Sequence, residues 1–390
     1  MDQNREDRPL TFHEKLLKFL KNQKKKIHIH LLILFPILLV AFILLYTMDT
    51  RKVAEAEPAT DAVLTGSIVG DIMTGRYVEY ITDRHGYEYL FRYAQPLFDT
   101  SDYVTGNFEN PATDRNVEQK EGKSIALKTD SHSVAGLANA GFNTVAVANN
   151  HMMDYGEPAL HDTLALMDEK QIDAVGAGKN MKDAHDRISY QEINGMTIAT
   201  LSFSDLTDRD VRADEQSGGI LDFTPETFIP LTAEAAKKAD LVLVHAHWGN
   251  EYNSRASDRQ KELARALSDA GADIIIGHHP HVLESIEVYN DTVIFYSLGN
   301  FIFDQGWTRT RETALVQFHV LDSGDTRFEV TPMKIREATP APINNWDKLA
   351  EWSIIRQLTR DLNADWEYEN EKLIFTINQN VNFEEGDMKR

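Results

Sequence analysis

The chain has 390 residues, 42% apolar and 26% charged, which suits a folded protein with a large core and argues against wholesale disorder. Its net charge of −21 is unevenly placed: residues 1–52 hold ten Lys/Arg and five Asp/Glu, whereas the rest hold 30 and 56, a net −26. So acidic a body excludes nucleic acid as a partner, because that binding neutralises phosphates with Lys and Arg. The absence of cysteine excludes disulfides, thiolate metal sites, a Cys nucleophile and a lipidated N-terminal Cys.

Residues 1–30 form a basic leader containing Lys15, Lys18, Lys21, Lys24, Lys25 and Lys26. Leu31–Met48 follows, eighteen residues without a charge. At about 1.5 Å per residue it nearly spans a hydrocarbon core roughly 30 Å thick, and Pro36 is tolerable in a membrane helix. Positive charge stays inside, so the reading is a single-pass cell-membrane anchor with a cytoplasmic N-terminus and an extracytoplasmic C-terminal body. The alternative is a cleaved signal peptide, with Ala54-Glu55-Ala56 as its cleavage site. The apolar run is long for that, and the site lies well past its end.

Residues 49–62 are polar and read as a linker. A repeating pattern then begins, in which short apolar runs end in small and polar residues. Leu64–Val69 precedes Gly70-Asp71, Tyr103–Thr105 precedes Gly106-Asn107, and Thr144–Val147 precedes Ala148-Asn149-Asn150-His151. Thr197–Ser202, Leu241–Val244, Ile274–Ile276 and Val293–Tyr296 continue the series. Helical patterns at Ser131–Ala140, Pro158–Lys170, Ala233–Lys238 and Asp258–Ala270 alternate with them. Such alternation predicts α/β layers, with functional groups just past the carboxyl ends of the strands. Later, Ala314–Leu321 and Arg327–Ile335 flank a hairpin signal, residues 346–362 predict an amphipathic helix, and Lys372–Ile377 a closing strand.

The polar residues at these ends carry the chemistry. Asp71 alone is weak, since a helix cap also uses an Asp there. Asn107 and Glu109 share a turn, which a hydrogen-bonded loop would also explain. Asn150 and His151 are stronger, because amide oxygens and imidazoles ligate divalent metals and a free His donates protons. Strand alternation puts His245 and His247 on one face. Three histidines in Gly277-His278-His279-Pro280-His281, which follows an Ile-Ile-Ile run, have few structural uses. Tyr155, Trp248, Tyr252, Phe301, Phe303 and Trp307 crowd these motifs, as packing or as the lining of a groove.

In order, Asp71, Asn107/Glu109, Asn150-His151, His247 and His279-x-His281 resemble the signature of metallophosphoesterases. The strings VGDIM, GNFENP, HWG, DAGADIIIGHHPHV and IFYSLGNFIFDQGW are similar to the CapA/PgsA family of poly-γ-glutamate capsule synthesis. The resemblance implies a metallophosphoesterase-like layered β-sandwich flanked by helices over residues 63–336, preceded by one transmembrane helix and followed by a helix-strand extension at 337–390. It implies one or two divalent ions (Mn, Zn or Fe) on Asp71, Asn107, Glu109, Asn150, His247, His279 and His281. His151 is then a general acid oriented by Asp154. The implied partners are the poly-γ-glutamate polymer, membrane-bound synthesis subunits and the membrane. Met73 and Asn107 stand where the wider superfamily has His and a bridging Asp, which favours a single-ion site as much as a dinuclear one. Three roles remain open: a cation that engages the polymer, a metal-dependent hydrolase of phosphoester or polymer amide, and a scaffold without chemistry.

Overall fold

The computed structural model describes residues 9–47, 51–206, 211–344, 346–379 and 381, without the side chains of residues 43–47. The first eight leader residues, Met48 at the end of the expected anchor, Asp49 and Thr50 of the expected linker, and tail residues 382–390 lie outside that description. The chain divides into two compact units, Met1–Thr50 and Arg51–Arg390.

In the first unit a helix spans Phe12–Lys25. Its start is fixed by a capping box in which Thr11 and Glu14 satisfy each other's backbone N–H. A second helix, Ile27–Thr47, carries the apolar run. Among the described residues no single helix is long and apolar enough to cross a membrane. Phe12–Lys25 and Ile27–Phe42, bent by 71°, meet that length and composition only together. The described apolar side chains of the second helix are exposed, Leu32 and Phe35 by 76% and 67%.

The second unit is mixed α/β. One sheet runs in the order Trp366–Glu369, Lys372–Asn378, Asp325–Arg336, Glu312–Leu321, Ala62–Ile72, Tyr103–Phe108, Thr144–Ala146, Asp173–Val175. Asn300–Ile302 pairs in parallel with the end of the Ala62–Ile72 strand. The other sheet runs Ile286–Tyr289, Thr292–Phe295, Ile274–His278, Leu241–His247, Met196–Ser204, Ser189–Ile193. The central strands of both are parallel, as the strand-helix alternation predicts.

Alternation along each strand sorts the core into layers. Leu241 and Leu243, with Ile274 and Ile276 of their own sheet, face the other sheet and share a core with its Leu64, Ile68 and Phe328, while Val242, Val244 and Ala246 face the helices Pro225–Ala235 and Asp258–Asp269. On the far side Val69, Val104 and Val145 pack under helices that include His132–Ala140 and Gly156–Glu169. Each fully buried aliphatic side chain contributes ~1.5–3 kcal/mol. The helix expected at Ala233–Lys238 lies earlier, at Pro225–Ala235, because Pro225 occupies its first turn, where a missing N–H costs nothing. Within the expected extension, Lys372–Asn378 adds to the Asp325–Arg336 edge of the first sheet.

Two local features yield tests. Gly70 lies where two backbones nearly touch: a Cβ there would sit 2.0 Å from the Gly299 carbonyl oxygen. Gly70→Ala is therefore expected to destabilise the protein by at least ~1–3 kcal/mol, read as a lowered melting temperature. Gln260 caps its own helix with Ser257 and also donates to the Glu284 carboxyl at 2.7 Å. Burial, opposed by that bond, pushes the Glu284 pKa up to about 8, and its other oxygen is unpartnered. The unfolded chain ionises this group near 4.5 while the folded chain keeps its proton. Stability therefore falls as pH rises from about 4.5 to about 8 and is flat for this group beyond either limit. Glu284→Gln is expected to remove that slope, so denaturant titrations at about pH 5 and pH 8 should differ less in the variant than in the parent.

Candidate metal centre

The inner face of the sandwich changes character at one end. Leu241 and Leu243 are followed on the same face by His245 and His247, and Ile274 and Ile276 by His278. Asp71 reaches this face through an irregularity. Ile68 pairs with Thr105 and Asp71 with Asn107, so three steps on one strand match two on the other. Such a bulge shifts the alternation by one residue. Val69 and Ile72 accordingly both belong to the helix-side core, and Asp71 turns inward. The Gly70–Gly299 approach then brings Asn300 into register beside Asp71.

Asp71 is fully buried. Its Oδ1 accepts from Asn107 Nδ2 at 2.8 Å and from His278 Nδ1 at 3.1 Å. Its Oδ2 lies 3.3 Å from the His279 backbone nitrogen and 3.2 Å from His281 Nδ1. Burial would raise its pKa, but hydrogen bonds from His278 and His281 hold the carboxyl well below the usual range. Glu109, equally buried, goes the other way: burial, then the Asp71 charge, push it well above its ordinary value. Burial and the neighbouring His279 hold His247 well below 6.5, and burial and His281 push His279 down to about 3. Both rings are neutral at pH 7, the state a metal ligand needs.

Two groups of donors converge here: Asp71, Glu109 and His247 form one, and Glu251, His279 and His281 the other, with the donor atoms of each within 4.8 Å of one another. They are neighbours, since His281 Nε2 is 3.5 Å from Glu109 Oε1. Glu109 Oε1, His247 Nδ1 and His279 Nδ1 are buried without hydrogen-bond partners, each costing ~1–3 kcal/mol if left so. His279 and His281 both have positive φ, at 93° and 56°, an arrangement costing ~1–3 kcal/mol per residue. Neutral imidazoles, carboxylates and unpartnered donors fit a divalent ion of the Zn, Mn or Fe kind.

Of the expected residues, Asp71, Glu109, His247, His279 and His281 all come together. Asn107 plays a different part. Its Nδ2 donates to Asp71 and to Glu109 Oε2 at 3.2 Å, while its Oδ1 accepts from Asn149 Nδ2 at 3.1 Å. The reverse orientation would set an amide oxygen against two carboxylates, so charge dictates it. Asn150 Oδ1 pairs with His247 Nε2 at 3.0 Å. His151 Nδ1 meets Asp154 Oδ2 at 2.6 Å, and Asp154 is fully buried, held by the Leu127 N–H and by Lys123 Nζ at 2.8 Å each. Met73 sits in the helix-side core.

Sequence reasoning did not assign Glu251, Asn149 or Asn300 to the site, and it named His278 in the histidine cluster without giving it a role. Continuing the Ile274, Ile276 alternation would have turned His278 to the inner face. Glu251 could not be found in this way, because it lies on a loop four residues past its strand. Trp248, Phe301 and Phe303 are buried, whereas Tyr252 and Trp307 are 42% and 47% exposed and pack edge-to-face at 5.2 Å. With the Arg76–Asp304 ion pair they form the rim.

The family model described as "Bacterial capsule synthesis protein PGA_cap" matches residues 65–305, more than half of the chain. The chain is 51% identical over 368 residues to "PGA biosynthesis protein CapA" of Bacillus subtilis (strain 168), covering 94% of this chain and 97% of that protein. It is 43% identical over 380 residues to "Capsule biosynthesis protein CapA" of Bacillus anthracis, covering 95% and 92%. Among solved structures, a 5'-nucleotidase precursor from Thermus thermophilus aligns with a TM-score of 0.41 at 13% identity, covering 75% of this chain and 58% of that one. That likeness is too slight to argue from.

Asn107→Asp tests the donor arrangement. Replacing two N–H donors by a third carboxylate is expected to cost chelator-treated protein ~1–3 kcal/mol. Added Mn²⁺ or Zn²⁺ should recover most of the loss, because a cation satisfies three carboxylates that repel one another without it. Thermal melts with and without chelator check both halves.

Proposed function

The chain belongs to the bacterial capsule synthesis protein family, and from that premise we propose a membrane-anchored, extracytoplasmic role in poly-γ-glutamate synthesis or export. In this reading Asp71, Glu109, His247, Glu251, His279 and His281 hold a divalent cation, and the centre engages the polymer's carboxylates. The observation that carries it is the pair of adjoining donor groups with unpartnered buried atoms, set in a body of net −26. A polyanion is repelled by such a body unless fixed positive charge intervenes. The relatives named for PGA and capsule biosynthesis support the same assignment. Residues 31–48 serve as the anchor, with the basic leader inside, and membrane-bound synthesis subunits are the working partners.

A second reading has its own observation. The His151–Asp154 pair beside Asn150 and His247 is what a general acid requires. A bound ion would supply Lewis acidity and an activated water there. His151 would donate its proton to the departing group, and Asp154, fixed by Lys123 and the Leu127 N–H, would set the tautomer. The bond cleaved would be a phosphoester or the polymer's amide.

One experiment separates them. His279→Ala/His281→Ala and His151→Ala are introduced into the producing cell, and polymer yield is measured beside the metal content of the purified chain and its hydrolysis of both substrate classes. The double variant is expected to lose metal affinity by about 100-fold or more and to lower the yield. His151→Ala should keep the metal. Loss of yield in the double variant alone, without hydrolysis, supports the cation role. Hydrolysis that disappears in His151→Ala supports the enzyme, and normal yield from the metal-free variant overturns both.

A further inference from the structure

The helix Lys348–Leu358 buries Ala350, Ile354 and Leu358 against the sheet. Its opposite face should be polar by the usual division of a surface helix. Instead Leu349 is 81% exposed and Trp352 59%, and Trp346, just before the helix, is 75% exposed. Arg356 continues the stripe and stacks over the Trp352 ring at 5.0 Å, and Lys348 lies at its margin. Two Trp and a Leu bordered by Lys and Arg have the composition of a membrane-interface surface, where amphipathic rings rest at headgroup depth and long cations reach phosphates.

The covalent chain says what covers this face. Soon after the apolar helix, Arg51 donates to the Arg336 carbonyl at 2.8 Å, Lys52 pairs with Glu371 at 2.6 Å, and the Ala54 N–H bonds the Tyr93 carbonyl. The cleft that receives Lys52 is lined also by Ile343, Glu351 and Tyr368. Glu351 belongs to the same helix as the exposed Trp352. Arg51 follows Thr47, the last residue of the apolar helix, by four positions in the sequence. In the anchor reading, residues 51–54, the first to follow the membrane segment in this second unit, are fastened beside the helix that carries the apolar stripe.

We propose that Trp346, Leu349, Trp352 and Arg356 form a second membrane contact, a surface that rests in the lipid headgroup region and holds the body against the bilayer. This rests on the anchor reading above. The same helix reaches the metal centre's rim: Gln357 donates to the Ser254 carbonyl at 2.7 Å, two residues from Tyr252, and Arg309 bonds the Ser254 hydroxyl. Docking would thus set the rim close to the membrane plane.

The test uses the full chain reconstituted in phosphatidylethanolamine/phosphatidylglycerol vesicles, with and without brominated acyl chains. Tryptophan emission is compared between the parent, the triple variant Trp346→Ser/Leu349→Ser/Trp352→Ser, and Trp352→Ser alone. These positions are exposed, and thermal melts confirm the fold of each variant. The parent should be quenched by brominated lipid, Trp352→Ser less so, and the triple variant should lose most of the quenching. Buried Trp248 stays bright in all three. Vesicle flotation reads the anchor separately. A chain that floats yet shows equal or no quenching overturns the docking surface and leaves the anchor standing, and one that does not float overturns both. Protection of these tryptophans from aqueous iodide without quenching by brominated lipid would mean that a protein covers the face, either a second copy or a synthesis subunit, and would overturn the lipid assignment.

Discussion

An ionised carboxylate shut away from water is among the costliest groups a fold can bury, and the Asp71 carboxylate is fully enclosed. Every feature around it answers that cost. Donors come from His278, His281, Asn107 and the His279 backbone. The bulge at Ile68–Asp71 aims the group inward, and the bare Gly70 backbone lets the Asn300 strand close beside it. Burial, and then the Asp71 charge, make a second negative charge expensive, which is why Glu109 is pushed toward its protonated form. A cation between the two would relieve both at once.

Much of this was legible in the sequence because the fold writes itself as continuous apolar runs that stop abruptly. A strand buried on both faces has no reason to end in His-Ala-His or Gly-His-His unless its end faces something polar. The layered architecture follows from that rule, and so do Asp71, His247, His279 and His281 as members of the site. The bulge left no such mark: strict alternation from Ile68 would have turned Asp71 toward the helices. Glu251 sits on a loop without periodicity, so nothing in the chain fixes its direction. Asn107 was legible as a member of the site but not in its role, which depends on which end of an amide faces two carboxylates.

The C-terminal segment shows the same limit in another form. A closing strand was visible at Lys372–Ile377, but its partner Trp366–Glu369 was not. Asn370 and Glu371 join them with φ of 49° and 64°, a turn that suits the twist of paired strands but usually calls for glycine. Without that marker the pairing is hidden. The outcome is that the segment after residue 337 completes the first sheet and carries the helix whose outer face is apolar.

The donors of the metal centre are spread from Asp71 to His281, and no short fragment carries more than part of them. In a chain with no cysteine, coordination at this centre would take the place that a disulfide has elsewhere, as a cross-link that ties distant segments only once they are folded. At roughly a hundredfold excess of ion over its dissociation constant, such a link is worth ~2.7 kcal/mol. Such a link would form and break without any redox change, and its strength would follow the supply of the ion. The durability of the folded body would then be set by the ionic composition of its surroundings as much as by its core.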